Sequence, residues 1–359
     1  MTSARVTAGN RVTLLAHGDR TFDEMIHLID GAKRSIDLES YIFRADRTGQ
    51  RFLGALAAAA GRGVRVRLLL DWVGRLGTSM KAFLPLHARG ATVRVFNPPG
   101  WRPWFGLLPR DHRKLLIVDD RTGVTGGIGI GDEWRYGLLR RRKQPWRDTC
   151  VRIEGPASDD LSLAFNKMWA MAGGERRPPR AARKIAPGTS GGELDPATAA
   201  ASLVGIVAGE PGRLRVGRSL HLQAAAAQRS IWIASAYFMP SFAEVEALSG
   251  AARDGVDVRL LVPSKYDHRL LHGLTRGYYD RLLRNDVKIW EWGGEMMHAK
   301  TAVVDGRWVR VGSTDFNPLG VAINYELDAM IEDPRIGAEA EAMFLDDLAR
   351  SRHIGRRRR

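Results

Sequence analysis

Two segments of the chain repeat one arrangement of chemically reactive side chains. His112 to Asp119 and His298 to Asp305 both follow the spacing His-x-Lys-x4-Asp, and a Gly-rich turn comes after each. A neutral histidine can attack phosphorus while a protonated histidine donates a proton to the departing oxygen. A lysine beside each histidine can balance the charge of the non-bridging phosphate oxygens. The repeated spacing therefore predicts one phosphodiester-cleaving site that uses both motifs.

Strand parity separates the side chains of each motif into two groups. Both motifs lie in apolar runs typical of β-strands, where alternate side chains share a face. Each histidine is therefore expected to project together with the lysine two residues later. Each aspartate stands seven residues after its histidine, an odd number, so we expect it to support the strand end rather than orient the imidazole. The candidate catalytic set is His112, Lys114, Asp119, His298, Lys300 and Asp305.

A reactive imidazole also needs a carboxylate or carbonyl that fixes its tautomer. For His298 the candidate is Glu326, which lies in a predicted strand of the same half of the chain. For His112 the candidates are Asp148, also in its own half, and Glu39, which interrupts an otherwise apolar strand. The alternative for each carboxylate is a surface position or a salt bridge.

The two halves of the chain resemble each other beyond the motifs. Residues 32–36 (Ala-Lys-Arg-Ser-Ile) recur as residues 227–231 (Ala-Gln-Arg-Ser-Ile), an offset of 195 (227 − 32). Residues 63–69 recur in similar form as residues 255–261, an offset of 192 (255 − 63). The motif histidines differ by 186 (298 − 112). An offset that shrinks slowly indicates a tandem duplication with loop deletions.

Each half alternates predicted strands and helices. Ile36 to Phe43 is rich in strand-forming residues, Gln50 to Gly61 is Ala-rich and helical, and Val64 to Asp71 is a nearly continuous apolar strand. Such runs are typical of a sheet that is covered by helices. The predicted fold class is α/β, with two tandem α/β domains, each a mixed sheet flanked by helices, and one active site at their interface.

Length and composition predict the domain limits. A chain of 359 residues exceeds the usual size of one core. Residues 174–199 are rich in Pro, Gly, Arg and Ala without clear periodicity, which predicts a linker. The expected N-terminal domain is therefore 1–173, and the expected C-terminal domain, which ends in a basic tail, is 200–359.

The cysteine count and the lengths of the apolar runs exclude several classes of protein. Cys150 is the single cysteine, so there is no internal disulfide and no thiolate metal cluster. Met1 to Arg11 contains no apolar run typical of a cleaved signal peptide, and no apolar run approaches the roughly 18 residues of a membrane span. We expect a protein that is not integral to a bilayer and that needs neither metal nor cofactor.

Excess positive charge predicts an anionic partner. The net charge is +15 and the pI is near 10.4, with basic clusters at Arg140 to Lys143 and Arg356 to Arg359. Such a charge attracts nucleic acid or an anionic lipid leaflet, although a charge run can also be an ordinary solvated surface. Aromatic and apolar residues close before His112 favour a lipid interface, with a loop packed on its own domain as the alternative. The predicted membrane-contact residues are Trp101, Trp104, Phe105, Leu107 and Leu108.

With these residues in place, the chain resembles the phospholipase D superfamily, and within it the bacterial cardiolipin synthases. The resemblance covers nearly the whole chain and rests on Asp37 to Phe43, both motifs, Trp146 to Pro156, and Gly312 to Glu326. It implies two α/β domains with one shared active site, covalent catalysis by histidine and independence from metals. It also implies that His112 is the nucleophile and His298 the general acid.

The chain departs from the family pattern at two corresponding positions. The family usually has an asparagine where this chain has Gly129 and Asp315, so a side-chain amide that could contact phosphate is missing twice. Asn317 is a possible substitute for the second asparagine. The candidate substrate-binding residues are Gly127, Ser313, Asp315 and Asn317.

The expected function is that of a phosphatidyltransferase. It would transfer a phosphatidyl group from phosphatidylglycerol to a histidine and then to a second phosphatidylglycerol, releasing glycerol and forming cardiolipin. The expected location is peripheral, on the cytoplasmic face of the cell membrane, where an anionic phospholipid surface is the partner. Three alternatives remain open: a phospholipase D-type hydrolase, a nuclease of the same superfamily, and an inactive lipid-binding module.

Overall fold

A computed structural model describes residues 4–99, 109–135, 144–175, 201–266 and 269–355, with the side chains of 269–272 excepted. The strands of these ranges are β1 Val6–Ala16, β2 Ser35–Ser40, β3 Arg65–Asp71, β4 Thr92–Phe96, β5 Lys114–Val118, β6 Thr122–Gly126, β7 Thr149–Glu154, β8 Ser202–Gly209, β9 Ser230–Ser235, β10 Asp257–Pro263, β11 Lys288–Trp292, β12 Lys300–Val304, β13 Trp308–Gly312, β14 Glu326–Glu332 and β15 Ser351–Ile354. The α-helices are Gly18–Gly31, Arg47–Gly61, Leu84–His87, Ala157–Met171, Arg215–Ala226, Phe242–Arg253, Arg269–Arg276, Tyr279–Arg284 and Pro334–Ala349.

Corresponding helices of the two halves begin with side-chain caps. Asp46 accepts a hydrogen bond from the amide of Gly49 at 3.0 Å and starts the helix after β2. In the second half, Ser241 and Glu244 form a reciprocal capping box at the start of the helix after β9. Such caps satisfy amides that have no partner within the helix. They define where the chain turns back after each of these central strands.

The strands form one mixed sheet that runs through both halves. Its order is β15-β11-β10-β9-β12-β13-β14-β8-β1-β7-β6-β5-β2-β3-β4. Each half contains three parallel strands, β2-β3-β4 and β9-β10-β11, next to an antiparallel group. The antiparallel pair of β1 and β8 joins the halves. This arrangement confirms the predicted α/β class with a mixed sheet in each half.

The sheet is not flat, because its two halves pack against each other. Strands β13 and β14 contact β6 and β7, although β8 and β1 separate these pairs in the sheet order. A shared apolar core fills the interface and includes buried residues of the helices Ala157–Met171 and Pro334–Ala349. Each half also has its own core beneath its outer helices. Face-to-face packing therefore brings together positions that are far apart along the sheet.

Several sequence predictions fall outside the described residues. Most of the predicted linker, the aromatic segment from Trp101 to Leu108 and the two basic clusters are among them. The limits of the two domains therefore remain a prediction, although β8 begins at Ser202, as a C-terminal domain starting near residue 200 requires. Within the described ranges, none of the helices combines the length and the apolar character that crossing a bilayer demands.

Candidate active site

The two motifs meet at one end of the sheet. Strand β5 runs antiparallel to β2, with Lys114 opposite Ser40, and β12 runs antiparallel to β9, with Lys300 opposite Ser235. The motif histidines precede β5 and β12, so they lie at the carboxyl ends of the parallel strands. Backbone contacts then connect the halves at this end. The amide of His112 donates to the carbonyl of Tyr325 at 2.9 Å.

The carboxylate partners of the histidines are exchanged relative to the sequence prediction. His112 Nδ1 lies 3.0 Å and 3.1 Å from the two carboxylate oxygens of Glu326, and His298 Nδ1 lies 2.6 Å from Asp148 Oδ2. The prediction that each histidine uses a carboxylate of its own half was therefore wrong. The prediction treated each half as a separate sheet, whereas packing between the halves places each carboxylate against the histidine of the other half.

Glu39 is not a partner of His112. It is buried in β2 beside Asp111, and burial followed by the nearby Asp111 carboxyl raises the pKa of Glu39 well above its ordinary value. Burial also raises the pKa of Asp111 to about 6. His112 is bound by the other half of the chain and turns toward Glu326, so its ring is directed away from Glu39.

Further groups hold the two orienting carboxylates. Asp148 accepts hydrogen bonds from Trp134 Nε1 at 3.1 Å and from the amide of Thr149 at 2.8 Å. A Cβ on Gly127 would lie 2.2 Å from Asp148 Oδ1, so glycine leaves the space that this carboxylate occupies. At the corresponding position of the second half, Ser313 Oγ donates to Glu326.

These contacts give Gly127 and Ser313 a role that the sequence did not predict. Both residues support a carboxylate, one by leaving space and one by a hydrogen bond, and their predicted contact with substrate stays a prediction. The physical reason is that the Gly-rich turn packs against the start of β7 or β14, where these carboxylates are located. Sequence spacing alone did not indicate that contact.

The two lysines occupy matching positions beside the histidines. Lys114 Nζ donates to the carbonyl of His112 at 2.5 Å, and Lys300 Nζ donates to the carbonyl of His298 at 2.7 Å. Lys300 Nζ also lies 3.1 Å from His298 Nε2. The predicted projection of each histidine with its lysine therefore agrees with the structure. Both lysines are buried.

Two tyrosines that sequence reasoning did not select complete this arrangement. Lys114 Nζ lies 5.3 Å from the ring centre of Tyr41, and Lys300 Nζ lies 5.8 Å from that of Tyr237. The ring of Tyr41 also contacts His112 edge-on at 4.8 Å. Each tyrosine follows the first parallel strand of its half. Tyr41 comes one residue after β2 and Tyr237 two residues after β9, so the sequence repeat did not align them.

Charges in the site act on one another across the two halves. Burial, followed by the charges of Lys114, Lys300 and His298, lowers the pKa of His112 well below its ordinary value. Burial and Lys300 also lower the pKa of His298, while the adjacent Asp148 opposes that shift. The four side chains therefore share one electrostatic environment.

The charges of Lys114 and Glu326 also respond to burial. Burial lowers the pKa of Lys114 to about 8, although the Glu326 carboxylate opposes this shift. Burial raises the pKa of Glu326 well above its ordinary value, with Lys114 opposing. Because burial disfavours both the imidazolium and the carboxylate, the His112–Glu326 pair favours a neutral imidazole.

Asp119 lies away from the imidazoles, as strand parity predicts. Its carboxylate accepts hydrogen bonds from the amides of Lys33 at 3.0 Å, Arg34 at 2.6 Å and Ser35 at 2.9 Å. Asp305 binds the amides at the start of β9 in the same way. Each aspartate therefore joins the end of its motif strand, β5 or β12, to the beginning of the neighbouring strand, β2 or β9.

The positions that depart from the family pattern have different surroundings in the two halves. A Cβ on Gly129 would lie 2.9 Å from the ring of Trp134, so this ring occupies the space of a larger side chain. Asp315 is buried, with Oδ2 3.5 Å from Lys300 Nζ. The amide oxygen of Asn317 accepts from the amide of Gly320 at 2.8 Å, and its amide nitrogen donates to the carbonyl of Tyr237 at 3.4 Å. Its substitution for a phosphate-binding asparagine stays a prediction.

Arg113 joins the two halves directly behind the site, and sequence reasoning missed it. The fully buried guanidinium donates to the carbonyls of Glu326 at 3.1 Å, Ala164 at 3.2 Å and Gly209 at 3.1 Å. These carbonyls belong to both halves. The sequence gives no sign of this role, because Arg113 is simply the residue between the histidine and the lysine of the first motif. Only the tertiary structure shows which carbonyls it contacts.

Arg147 provides a second connection between the halves. Its guanidinium pairs with Asp347 in the last helix at 2.8 Å and donates to the carbonyl of Asp148 at 2.5 Å. The backbone that carries each orienting carboxylate is thus held by a buried arginine, Arg113 behind Glu326 and Arg147 beside Asp148. This rigidity is what a site needs when it must keep two imidazoles aligned.

The arrangement can perform nucleophilic and acid–base chemistry on a phosphate diester. With each Nδ1 turned toward a carboxylate, the Nε2 atoms are the ring nitrogens left for chemistry, and His298 Nε2 also lies 3.1 Å from Lys300 Nζ. Two lysines supply positive charge beside them. Among the described residues, no group of three or more His, Cys, Asp or Glu side chains has an arrangement that could hold a metal ion.

Known proteins resemble this chain in sequence and in fold. A family described as "Cardiolipin synthase, PLD-like domain" matches residues 25–169 and 221–348, one segment in each half. Cardiolipin synthase of Listeria monocytogenes serotype 4a (strain HCC23) is 31% identical over 350 residues, which cover 97% of this chain and 71% of that protein. Cardiolipin synthase 1 of Bacillus anthracis is 31% identical over 358 residues, covering 97% and 68%.

A solved structure supports the fold independently of close sequence similarity. Phosphatidylserine synthase of Haemophilus influenzae Rd KW20 superposes with a TM-score of 0.73 at 17% identity, covering 96% of this chain and 88% of the other. The two matched segments each contain one His-x-Lys-x4-Asp motif. The chain belongs to the phospholipase D superfamily, in the family of cardiolipin synthase-type, phospholipase D-like domains.

Proposed function

We propose that this protein is a phosphatidyltransferase that makes cardiolipin from two molecules of phosphatidylglycerol. The main support is the pair of histidines, each oriented by a carboxylate of the opposite half. Membership of the cardiolipin synthase-type family supports the substrate class. A single site of this type performs both half-reactions, because the same two imidazoles serve donor and acceptor in turn.

In the first half-reaction, His112 is proposed to be the nucleophile. Its Nε2 attacks phosphorus, the bond from phosphorus to the glycerol oxygen breaks, and the proton of His298 goes to that oxygen. The lower pKa of His112 favours the neutral form that can attack. The side chain of His112 is also 15% exposed, compared with 4% for His298, so the substrate can reach it more readily.

In the second half-reaction, the proton is transferred in the opposite direction. His298, now neutral, accepts the proton of a hydroxyl group on the second phosphatidylglycerol. That oxygen attacks phosphorus and the bond from phosphorus to His112 breaks. Cardiolipin and free His112 result, and His298 is protonated again for the next cycle. Lys114 and Lys300 stabilise the non-bridging oxygens in both steps.

We further propose that the catalytic end of the molecule contacts the membrane surface. Exposed apolar side chains occur in the loops and helix starts at that end, where a lipid must enter. An apolar rim around a deep polar site is typical of proteins that take substrates from a bilayer. We call these residues the apolar rim: Leu76, Met80, Leu84, Leu214, Phe242 and Leu319.

Product analysis tests the proposed reaction. The chain is incubated with phosphatidylglycerol vesicles in a chelator, and lipids are measured by mass spectrometry. We expect cardiolipin and glycerol in equal amounts, and no turnover by His112→Ala or His298→Ala. Phosphatidic acid as the sole product would instead identify a hydrolase. Cleavage of plasmid DNA without lipid turnover would identify a nuclease, and lipid binding without turnover an inactive module.

An activated donor assigns the two histidines. A phosphatidyl ester of p-nitrophenol needs no proton on its leaving group, so a variant without the acid can still form the covalent intermediate. We expect a burst of nitrophenolate and a phosphorylated His112 in His298→Ala, but neither in His112→Ala. The reverse pattern would show that His298 is the nucleophile.

A further inference from the structure

The histidine and lysine of each motif, with the groups around them, form one half-site of the active site. The two half-sites differ in charge at one pair of corresponding positions. Gly129 and Asp315 each stand three residues after the first glycine of the turn that follows a motif strand. In the first half the ring of Trp134 fills the space beside Gly129. In the second half a carboxylate that is only 4% exposed occupies the equivalent place. A buried negative charge therefore distinguishes otherwise similar half-sites.

The contacts of Asp315 lead directly to the catalytic pair of its half. Oδ1 accepts a hydrogen bond from the amide of Tyr237 at 3.2 Å, and Oδ2 lies 3.5 Å from Lys300 Nζ. The same ammonium lies 3.1 Å from His298 Nε2. A continuous chain of polar groups thus runs from Asp315 through Lys300 to His298.

Lys114 has a different environment. Among the described residues it forms no direct ion pair, although the charges of Glu326 and Asp315 act on it from farther away. Its ammonium donates to the carbonyl of His112 and faces the ring of Tyr41. A lysine that is paired with a carboxylate presents less net charge to a phosphate than an unpaired lysine does. The two lysines are therefore unequal as binding groups for an anionic substrate.

The carboxylate of Asp315 also affects the imidazole. The charged and titratable groups that face His298 are Asp148, Lys300, Asp315, His112 and Tyr237. Asp315 and Asp148 both raise the pKa of His298 against the effects of burial and Lys300. A negative charge near an imidazole favours the imidazolium, which is the form that donates a proton.

We propose that Asp315 is a positioning residue that gives the two half-sites different tasks. By placing a negative charge beside Lys300 and His298 it makes the C-terminal half the side of proton transfer, and it leaves Lys114 as the principal cation for the phosphate. The catalytic part of this inference rests on the proposed function. Asp315 and Lys300 undergo no net proton change, because the proton of His298 leaves with the first alcohol and returns from the second.

The pH dependence of Asp315→Asn tests the proton-transfer role. Asparagine keeps the acceptor for the amide of Tyr237 but removes the charge that raises the pKa of His298. His298 must be protonated in the first half-reaction, so the alkaline limb of kcat/KM should move about one pH unit lower. Asp257→Asn is the matched control, because it removes a carboxylate of the same half at the beginning of β10, the end of the sheet opposite the site, and should leave that limb in place.

Binding of inorganic phosphate to the whole chain tests the charge of Lys300 without turnover. Calorimetry at one pH should show about tenfold tighter binding to Asp315→Asn, since Lys300 is then unpaired. Melting temperatures establish that each variant is folded, and Asp315→Ser provides the same neutralisation if Asp315→Asn fails to fold. An unchanged alkaline limb together with unchanged phosphate affinity would overturn the inference. If the wild type makes no cardiolipin but neutralisation still strengthens phosphate binding, the proposed function fails and the charge role of Asp315 stands.

Discussion

At the scale of single residues, the site consists of two imidazoles whose properties are set by neighbours from the opposite half. Glu326 and Asp148 fix which nitrogen of each ring carries the proton. Because His298 is buried and His112 is only partly exposed, a small set of charges determines whether each is neutral. The exchange of partners therefore connects the chemistry of each histidine to the packing of the halves.

Removing one orienting carboxylate at a time should affect different steps. We expect Glu326→Gln to slow formation of the phosphohistidine from the activated donor by roughly 10²–10³-fold, because an amide cannot replace both carboxyl oxygens that lie beside His112 Nδ1 and Ser313. Asp148→Asn should leave the nitrophenolate burst from the activated donor unchanged. It should instead slow turnover of phosphatidylglycerol by a similar factor. Rapid-quench kinetics measures both steps.

Glu39→Gln is the control for these variants. Burial already favours the neutral form of Glu39, and its neighbour is Asp111 rather than His112. Kinetics equal to those of the wild type are expected. If Asp148→Asn rather than Glu326→Gln removed the burst, the assignment of the carboxylates to their histidines would be wrong in function.

At the scale of secondary structure, Asp119 and Asp305 hold adjacent strands together. Both have a positive φ, 56° for Asp119 and 53° for Asp305, which aspartate tolerates better than most residues. Each carboxylate binds three consecutive amides at the start of the neighbouring strand, β2 for Asp119 and β9 for Asp305. This support keeps each motif strand in register, so the histidine at its other end is correctly placed.

Asp119→Asn should lower stability while leaving the reactivity of His112 intact. One carboxylate oxygen is replaced by an amide nitrogen that cannot accept, so the free energy of unfolding should fall by roughly 1–2 kcal/mol. Chemical denaturation measures this loss, and the nitrophenolate burst measures reactivity. An unchanged stability with a lost burst would show that Asp119 acts on the imidazole after all.

The same aspartate has a defined pH dependence. Partial burial raises the pKa of Asp119, but the amides of Ser35, Lys33 and Arg34 outweigh it and leave the pKa below its ordinary value. A carboxyl whose pKa is lowered by folding stabilises the protein above its unfolded pKa and loses that contribution as the pH falls through the folded pKa. The difference in stability between the wild type and Asp119→Asn should therefore be full near neutral pH and disappear in acid.

At the scale of the whole molecule, the catalytic end and the opposite end of the sheet carry different surfaces. Phe242 and Leu319, which are 67% and 47% exposed, follow β9 and β13 at the catalytic end. Trp308 is 40% exposed at the beginning of β13, and therefore at the opposite end. The structure thus offers a matched pair of apolar sites for testing which end meets a bilayer.

Replacing the apolar rim should weaken membrane binding. Each large apolar side chain that enters the interface contributes on the order of 1 kcal/mol, so Phe242→Ser combined with Leu319→Ser should reduce affinity for phosphatidylglycerol vesicles roughly 30-fold. Vesicle sedimentation measures the affinity. Trp308→Ser is the control, and its affinity should equal that of the wild type. Equal losses in both variants would mean that the apolar rim has no special role.

Local sequence patterns predicted much of the fold and the reactive residues. The apolar runs around residues 36–43 and 64–71 and the Ala-rich segment between them correspond to β2, β3 and an intervening helix. Strand parity placed each lysine with its histidine and each aspartate away from it. These features depend on neighbours within a few positions of the chain, which is why the sequence alone could determine them.

The tertiary structure decided which groups serve which histidine. Glu326 contacts His112 across 214 positions of sequence, and Asp148 contacts His298 across 150. Strand order gives no indication of these contacts, because they arise where the two halves of one sheet pack face to face. The roles of Gly127, Ser313 and Arg113 have the same origin. Periodicity reports which face of a strand a side chain occupies, but only packing between distant segments determines what it meets there.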